Sequence, residues 1–122
     1  MSLIVTSQRL HFFPGMTIWT AAHMSWAQPI GHVYTRYTYL EGELEIVDSF
    51  VKPELRRQGV RTALQNAIWA AHTPEDLTRI VTKMGTPEGL AWMRSRGYQQ
   101  AKDGYWYCTR KSWKASKLRK II

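Results

Sequence analysis

The chain reads as an α+β (α/β) domain, a mixed and mostly antiparallel central sheet with helices packed on it. Three observations predict this. Two β-prone runs, Gly31 to Leu40 (GHVYTRYTYL) and Leu44 to Val51, flank the turn signal Glu41-Gly42 and read as antiparallel neighbours. A basic turn with one glycine then opens an apolar stripe of Val60, Ala63, Leu64, Ala67, Ile68 and Ala71, the spacing of one helix face. Short β-prone and helical segments follow, ending in a tight-turn signal at Asp103-Gly104.

Leu3 to Phe13 is β-prone, and Pro14-Gly15 turns it. Met16 to Trp26 fits two periods. Ile18, Trp19, Ala22 and Trp26 would line a helix, whereas Thr17, Trp19 and Ala21 would line a strand. Gln28-Pro29 breaks the chain before the first strong β run. After the central helix, Thr73-Pro74 stops it and Arg79 to Met84 reads as a short buried strand. Thr86-Pro87-Glu88 is an N-cap with proline at the first helical position. That helix runs through Leu90 and Met93 to Gly97, suited to the left-handed C′ position, with Tyr98 packing back on Met93. Asp103-Gly104 joins Tyr98–Lys102 to Tyr105–Arg110 as a hairpin.

A length of 122 residues suits one domain with its own core, and 44% hydrophobic with 21% charged residues is ordinary for a globular protein. The single cysteine, Cys108, excludes an internal disulfide framework and suits a reducing compartment. No apolar run approaches a membrane span and no signal pattern opens the chain, so a soluble, cytoplasmic protein without a membrane partner is expected. Six positive charges and no acid follow Asp103, out of a net +8. Residues 1–110 read as the domain and 111–122 as a basic C-terminal tail. Residues 110–122, with Trp113, Leu118, Ile121 and Ile122 among the cations, read either as a solvated end or as an arm for nucleic acid or an acidic protein. His11, His23, His32 and His72 lack ligand-like spacing, so no metal site is expected.

The stretch Val51-Lys52-Pro53-Glu54-Leu55-Arg56-Arg57-Gln58-Gly59-Val60-Arg61-Thr62 organises the rest. Arginines around a helix N-terminus oppose the helix dipole, at about 0.3–1 kcal/mol each before screening. An anion placed there would reverse the sign, because amides, dipole and guanidinium groups would then act together. The plain alternative is a solvated basic turn.

Arg56-Arg57-Gln58-Gly59-Val60-Arg61, preceded by Val51-x-Pro53, resembles the acyl-CoA pyrophosphate loop of the GNAT family of N-acetyltransferases, Gln/Arg-x-x-Gly-x-Gly/Ala after a strand ending in Val-x-Pro. Arg56 and Gly59 match, and Arg61 stands where the family has a small residue. Pro29-Ile30-Gly31-His32-Val33-Tyr34 resembles the family's third strand, and Ala91-Trp92-Met93-Arg94-Ser95-Arg96-Gly97-Tyr98 its later "A-x-F-Y-x-x-x-G-F" segment. The resemblance implies a GNAT-like acyl-CoA N-acyltransferase fold in the order β-β-β-β-α-β-α-β-β, a strand at Met16–Trp26, and the usual helices between the first two strands left out.

It also implies an acetyl-CoA-dependent N-acetyltransferase acting on a primary amine of a peptide, a protein or another molecule, and it admits a homodimer. Coenzyme A would lie on Arg56, Arg57, Gln58, Gly59, Val60, Arg61 and Thr62, with Phe50, Val51 and Lys52 along its arm. Glu45, eleven residues before Arg56 and followed by Ile46-Val47, takes the place of the family's general base. Asp48 is its rival, expected on the other side of the strand by the period of two. Met93 falls where many relatives have a proton-donating tyrosine, and a thioether has no proton to give. Met93 is therefore expected to be structural. The competing reading is a non-catalytic module of the same fold that uses its basic surface for nucleic acid or an acidic protein.

Overall fold

The computed structural model describes residues 2–23, 28–83, 86–101 and 103–121, with only the backbone for 117–121. Its elements are β1 (Leu3–Arg9), β2 (Met16–His23), β3 (Pro29–Tyr37), β4 (Glu43–Val51), α1 (Val60–Ala70), β5 (Arg79–Thr82), α2 (Pro87–Ser95), β6 (Gln99–Gln100), β7 (Trp106–Thr109) and α3 (Arg110–Ile121). The seven strands form one sheet in the order β1-β2-β3-β4-β5-β7-β6. Every neighbouring pair is antiparallel except β4 and β5, which run parallel through the α1 crossover.

The ambiguous segment is a strand over Met16–His23, while Trp26 lies outside the described residues. Strand pairing buries Trp19 and Ala21 on one face, and the Trp19 indole donates to Thr35 Oγ1 across 2.9 Å. A buried indole N–H needs such a partner. Residues 10–15 join β1 to β2 as a tight turn, closed by Met16 N to Phe13 O at 3.0 Å, with no helix between them. β1 is shorter than its β-prone run, ending at Arg9, because the turn begins at Leu10. β5 likewise ends at Thr82, and Met84 is outside the described residues.

All three helices pack on one sheet face. Val60, Leu64 and Ile68 of α1, Met93 of α2 and Trp113 of α3 share a buried cluster with Trp19, Val33, Leu44, Ile80 and Cys108. α2 is bounded as its sequence implies. Thr86 accepts from Gly89 N at 3.1 Å, and Gly97 takes φ +85° while Tyr98 N donates to Met93 O at 3.0 Å, a Schellman closure. The other sheet face bears Ile4, Asp48 and Phe50, and among the described residues no helix covers it.

The stretch expected as a basic tail is an integral helix. Thr109 and Ser112 cap α3 reciprocally, Ser112 N donating to Thr109 Oγ1 at 3.1 Å and Thr109 N to Ser112 Oγ at 3.0 Å. Trp113 is only 3% exposed and donates to Asn66 Oδ1 at 2.8 Å. The Arg110 guanidinium donates to the carbonyls of Trp69, His72, Thr73 and Leu77, covering the end of α1. Thr109-x-x-Ser112 is the sequence signal that marks this helix start. Charge composition hid it, because Lys111 and Lys114 lie on the exposed side while Trp113 and Ser116 turn inward.

Candidate cofactor cleft and acceptor face

The loop between β4 and α1 is built around a 3-10 turn at Pro53–Leu55. Arg56 folds back so that its Nε donates to Val51 O at 3.1 Å, tying the loop to the strand end. Arg57 holds φ +67° and Gly59 φ +84°, so two of three successive residues are left-handed. For arginine that region is uncommon and carries strain. Gly59 is the N-cap of α1 and supplies no side-chain cap. The first intrahelical bond is Ala63 N to Gly59 O at 2.9 Å, which leaves the amides of Val60, Arg61 and Thr62 ahead of the ladder. A Cβ on Gly59 would meet nothing within 4 Å, so the space beside the N-cap residue is open. The contrast with α2 is chemical: α2 has a threonine cap and Glu88 in its first turn, and α1 has neither a side-chain cap nor an acid there.

Beside this loop the sheet divides. β4 and β5 are paired only from Glu43 with Arg79 to Ile46 with Thr82, and β4 then continues to Val51 against β3 alone. Close approach of β3 holds the strand end in place: a Cβ on Gly31 would stand 3.0 Å from Phe50 O and 3.0 Å from Val60 Cγ1. Under the division lies a cavity of about 20 Å³, bordered by Ile46 and Ser49 of β4, Arg61 and Gln65 of α1, and Trp92 and Met93 of α2. That volume holds about one water molecule. Gln65, 2% exposed, accepts from Tyr98 Oη at 2.6 Å through Oε1, while its Nε2 has no partner. An unmet buried donor is costly, and the Gln65 side chain borders the cavity. Burial drives the Tyr98 hydroxyl pKa far up, with Cys108 adding to the shift and Gln65 and Arg61 opposing it.

Arg61 closes the cavity from the loop side. Its Nη2 donates to Ser49 Oγ at 2.7 Å, and its guanidinium carbon lies 5.3 Å from the centre of the Trp92 ring. Burial lowers its pKa, with Tyr98 opposing and Arg56 adding to the effect. Neither of the two ion pairs among the described residues involves Arg61; they are Arg36–Glu45 and Arg79–Glu43.

The structure brings Arg56, Arg57, Gln58, Gly59, Val60, Arg61 and Thr62 together at the loop and helix start. Phe50, Val51 and Lys52, expected along the cofactor arm through their backbone groups, point their side chains in different directions. Val51 is core, Lys52 opens the loop with its amide donating to Ile30 O at 3.0 Å, and Phe50 faces the uncovered side, 5.7 Å from the His32 ring. The β4 side chains that border the cavity are Ile46 and Ser49, while strand alternation sends the Phe50 side chain outward. Ser49 gives no pattern signal of its own in the sequence.

Asp48 also departs from expectation. Thr35 pairs with Ile46 but Tyr34 pairs with Asp48, so Val47 is an inserted bulge residue. The insertion cancels the period-of-two argument and puts Asp48 on the same face as Glu45. Arg36 binds Glu45 Oε1 through Nε and Nη2, and Asp48 Oδ1 accepts from Ser49 N at 2.9 Å. Met93 is fully buried in the cluster that contains Tyr98. Among the described residues no group of three or more His, Cys, Asp or Glu could hold a metal, and no helix is long and apolar enough to cross a membrane.

Comparison of the whole fold with solved structures gives consistent matches. A ribosomal-protein-S18-alanine N-acetyltransferase from Escherichia coli superposes with a TM-score of 0.68 at 12% identity, over 88% of this chain and 94% of that one. The chain has the GNAT fold. A GNAT-family acetyltransferase from Elizabethkingia anophelis, solved with acetyl-CoA bound, matches with a TM-score of 0.66 at 12% identity over 82% and 78% of the two chains. A GNAT acetyltransferase from Staphylococcus aureus Mu50 matches at 0.68 and 12%, over 78% of this chain and 68% of its own. No family model matches the sequence, and no curated protein matches it. The parallel β4/β5 pair thus sits in a sheet of GNAT architecture, carried by a sequence far from those of the matched structures.

Proposed function

We propose that this chain is an acetyl-CoA-dependent N-acetyltransferase acting on a primary amine of a peptide, a protein or another amine-bearing molecule. The observation that carries this reading is the uncapped, acid-free N-terminus of α1, set at the division of β4 and β5 in a GNAT sheet. The amides of Val60, Arg61 and Thr62, with Arg56 and Arg57 beside them, suit a pyrophosphate. The unmet Gln65 Nε2 suits an amide or thioester carbonyl in the cleft. Acetyl-CoA would supply an activated acetyl thioester. The chain's own share is to hold it, exclude water and take a proton from the amine.

Glu45 is the residue we assign to that proton, directly or through water, because it stands on the uncovered face just before the division. The acceptor reaches the same face, with Asp48 beside it to attract a cationic amine. Met93 leaves the departing thiolate without a side-chain proton at that position, and the Tyr98 hydroxyl is committed to Gln65 Oε1, so water would serve.

Calorimetry with coenzyme A on the wild type and on Gly59→Val tests the reading. A β-branched residue at φ +84° distorts the loop and fills the open approach, so binding should weaken by at least tenfold in a protein still folded by thermal melt. Equal affinity removes the basis of the reading. The closed cleft and the buried Met93 favour one alternative, a non-catalytic binding module of the same fold. Labelled acetyl-CoA turned over on an amine panel supports the enzyme. Salt-steep nucleic-acid binding without turnover supports the module.

A further inference from the structure

Resting on the cofactor reading above, we propose that Arg61 is a specificity latch. It keeps the cleft shut to an uncharged thioester arm and opens it for a ligand that also carries phosphate. Arg61 sits in the first turn of α1 yet reaches to Ser49 on β4, 2.7 Å away, with its guanidinium against Trp92 of α2. Trp92 in turn donates to Thr62 Oγ1 at 3.4 Å, so the three elements around the cleft are linked through this corner. What remains behind the latch is about 20 Å³, too small for an acyl arm, together with the unmet Gln65 Nε2.

The latch is held by a neutral hydroxyl and a ring face, and no carboxylate among the described residues pairs with Arg61. A phosphate at the adjacent amides offers the guanidinium a charge-assisted partner that Ser49 cannot match. Leaving Ser49 for that phosphate clears the cleft and exposes Gln65 to the arm. The phosphate-bearing part of the ligand thereby drives opening, and the arm alone does not. A small residue at this position would leave the cleft open to both.

The test is calorimetry with coenzyme A and with pantetheine, its arm without phosphates, on wild type, Ser49→Ala and Arg61→Ala. Ser49→Ala keeps the charge and removes the closed-state bond, so both ligands should bind about 3- to 10-fold more tightly, the closed-state penalty having been lifted. Arg61→Ala should tighten pantetheine and weaken coenzyme A, narrowing the ratio of their affinities by at least tenfold. Thermal melts check that both variants are folded, because Arg61→Ala removes a like-sign charge from a helix start but also loses the Ser49 and Trp92 contacts. A wild-type ratio in Arg61→Ala, or unchanged affinities in Ser49→Ala, overturns the latch while leaving coenzyme A binding intact. Absence of coenzyme A binding in all three proteins overturns the cofactor reading and the latch with it.

Discussion

Arg36 on β3 grips Glu45 from across the strand pair, its Nε and Nη2 both 3.1 Å from the same carboxylate oxygen. The pair fixes one oxygen and turns the carboxylate toward the uncovered face. Glu45→Gln should therefore lower kcat by about 10²–10⁴ while coenzyme A affinity stays within twofold. Wild-type kinetics in Glu45→Gln would remove it as the base.

Asp48 shares that face through the Val47 bulge but lies outside the ion pair. Its expected contribution is attraction of a cationic acceptor. Asp48→Asn should raise KM for a positively charged amine several-fold, with the effect shrinking at high salt, and leave coenzyme A affinity unchanged. An equal loss of kcat in Asp48→Asn and Glu45→Gln would instead make the two carboxylates a single proton-accepting unit.

Gln65 joins the cleft to the core through Tyr98. Gln65→Leu deletes the unmet donor but strands the buried Tyr98 hydroxyl, so stability should fall by about 1–3 kcal/mol. Coenzyme A binding should weaken as well, which a purely structural role would not require. Urea unfolding and calorimetry on the same protein separate the two effects.

Trp113 places α3 in the core. Trp113→Ala should cost about 3–5 kcal/mol, and removal of residues 110–122 should abolish the cooperative unfolding transition. Lys111→Gln and Lys114→Gln, on the exposed side, should change stability by no more than about 0.5 kcal/mol. A truncated chain with wild-type unfolding would return this segment to the status of an appended tail.

Burial pushes the Cys108 thiol pKa up from 9 to about 11, against the opposing effects of Ser112 and Arg96. The folded state thus keeps a proton that the unfolded chain gives up, so stability contributed here is full below pH 9 and declines toward about pH 11. Cys108→Ala should flatten that alkaline decline relative to the wild type, whatever the packing change does at neutral pH. An identical decline in both proteins would assign it to other groups, Tyr98 first among them.

Several parts of this molecule are legible residue by residue. The β3–β4 hairpin, the loop into α1, the Thr86 cap, the Gly97 stop and the Asp103-Gly104 turn all depend on neighbours within a few positions. Periodicity, capping and turn chemistry act over that range, so the sequence by itself determines those elements and their order. The concentration of arginine at a helix start is equally local, and it marks the loop.

Other features arose only in three dimensions. A bulge is a mismatch between two strands, so Val47 and the face of Asp48 depend on how β4 registers with β3. Arg61 closes the cleft because the crossover brings α1 within reach of Ser49, a neighbour twelve positions away that no local rule selects. Trp113 is core because α1 and α2 leave a site for it beside Asn66, whereas its own segment is rich in charge. Each outcome turns on which distant surfaces meet, and a side chain's reach and burial are properties of that meeting rather than of its place in the chain.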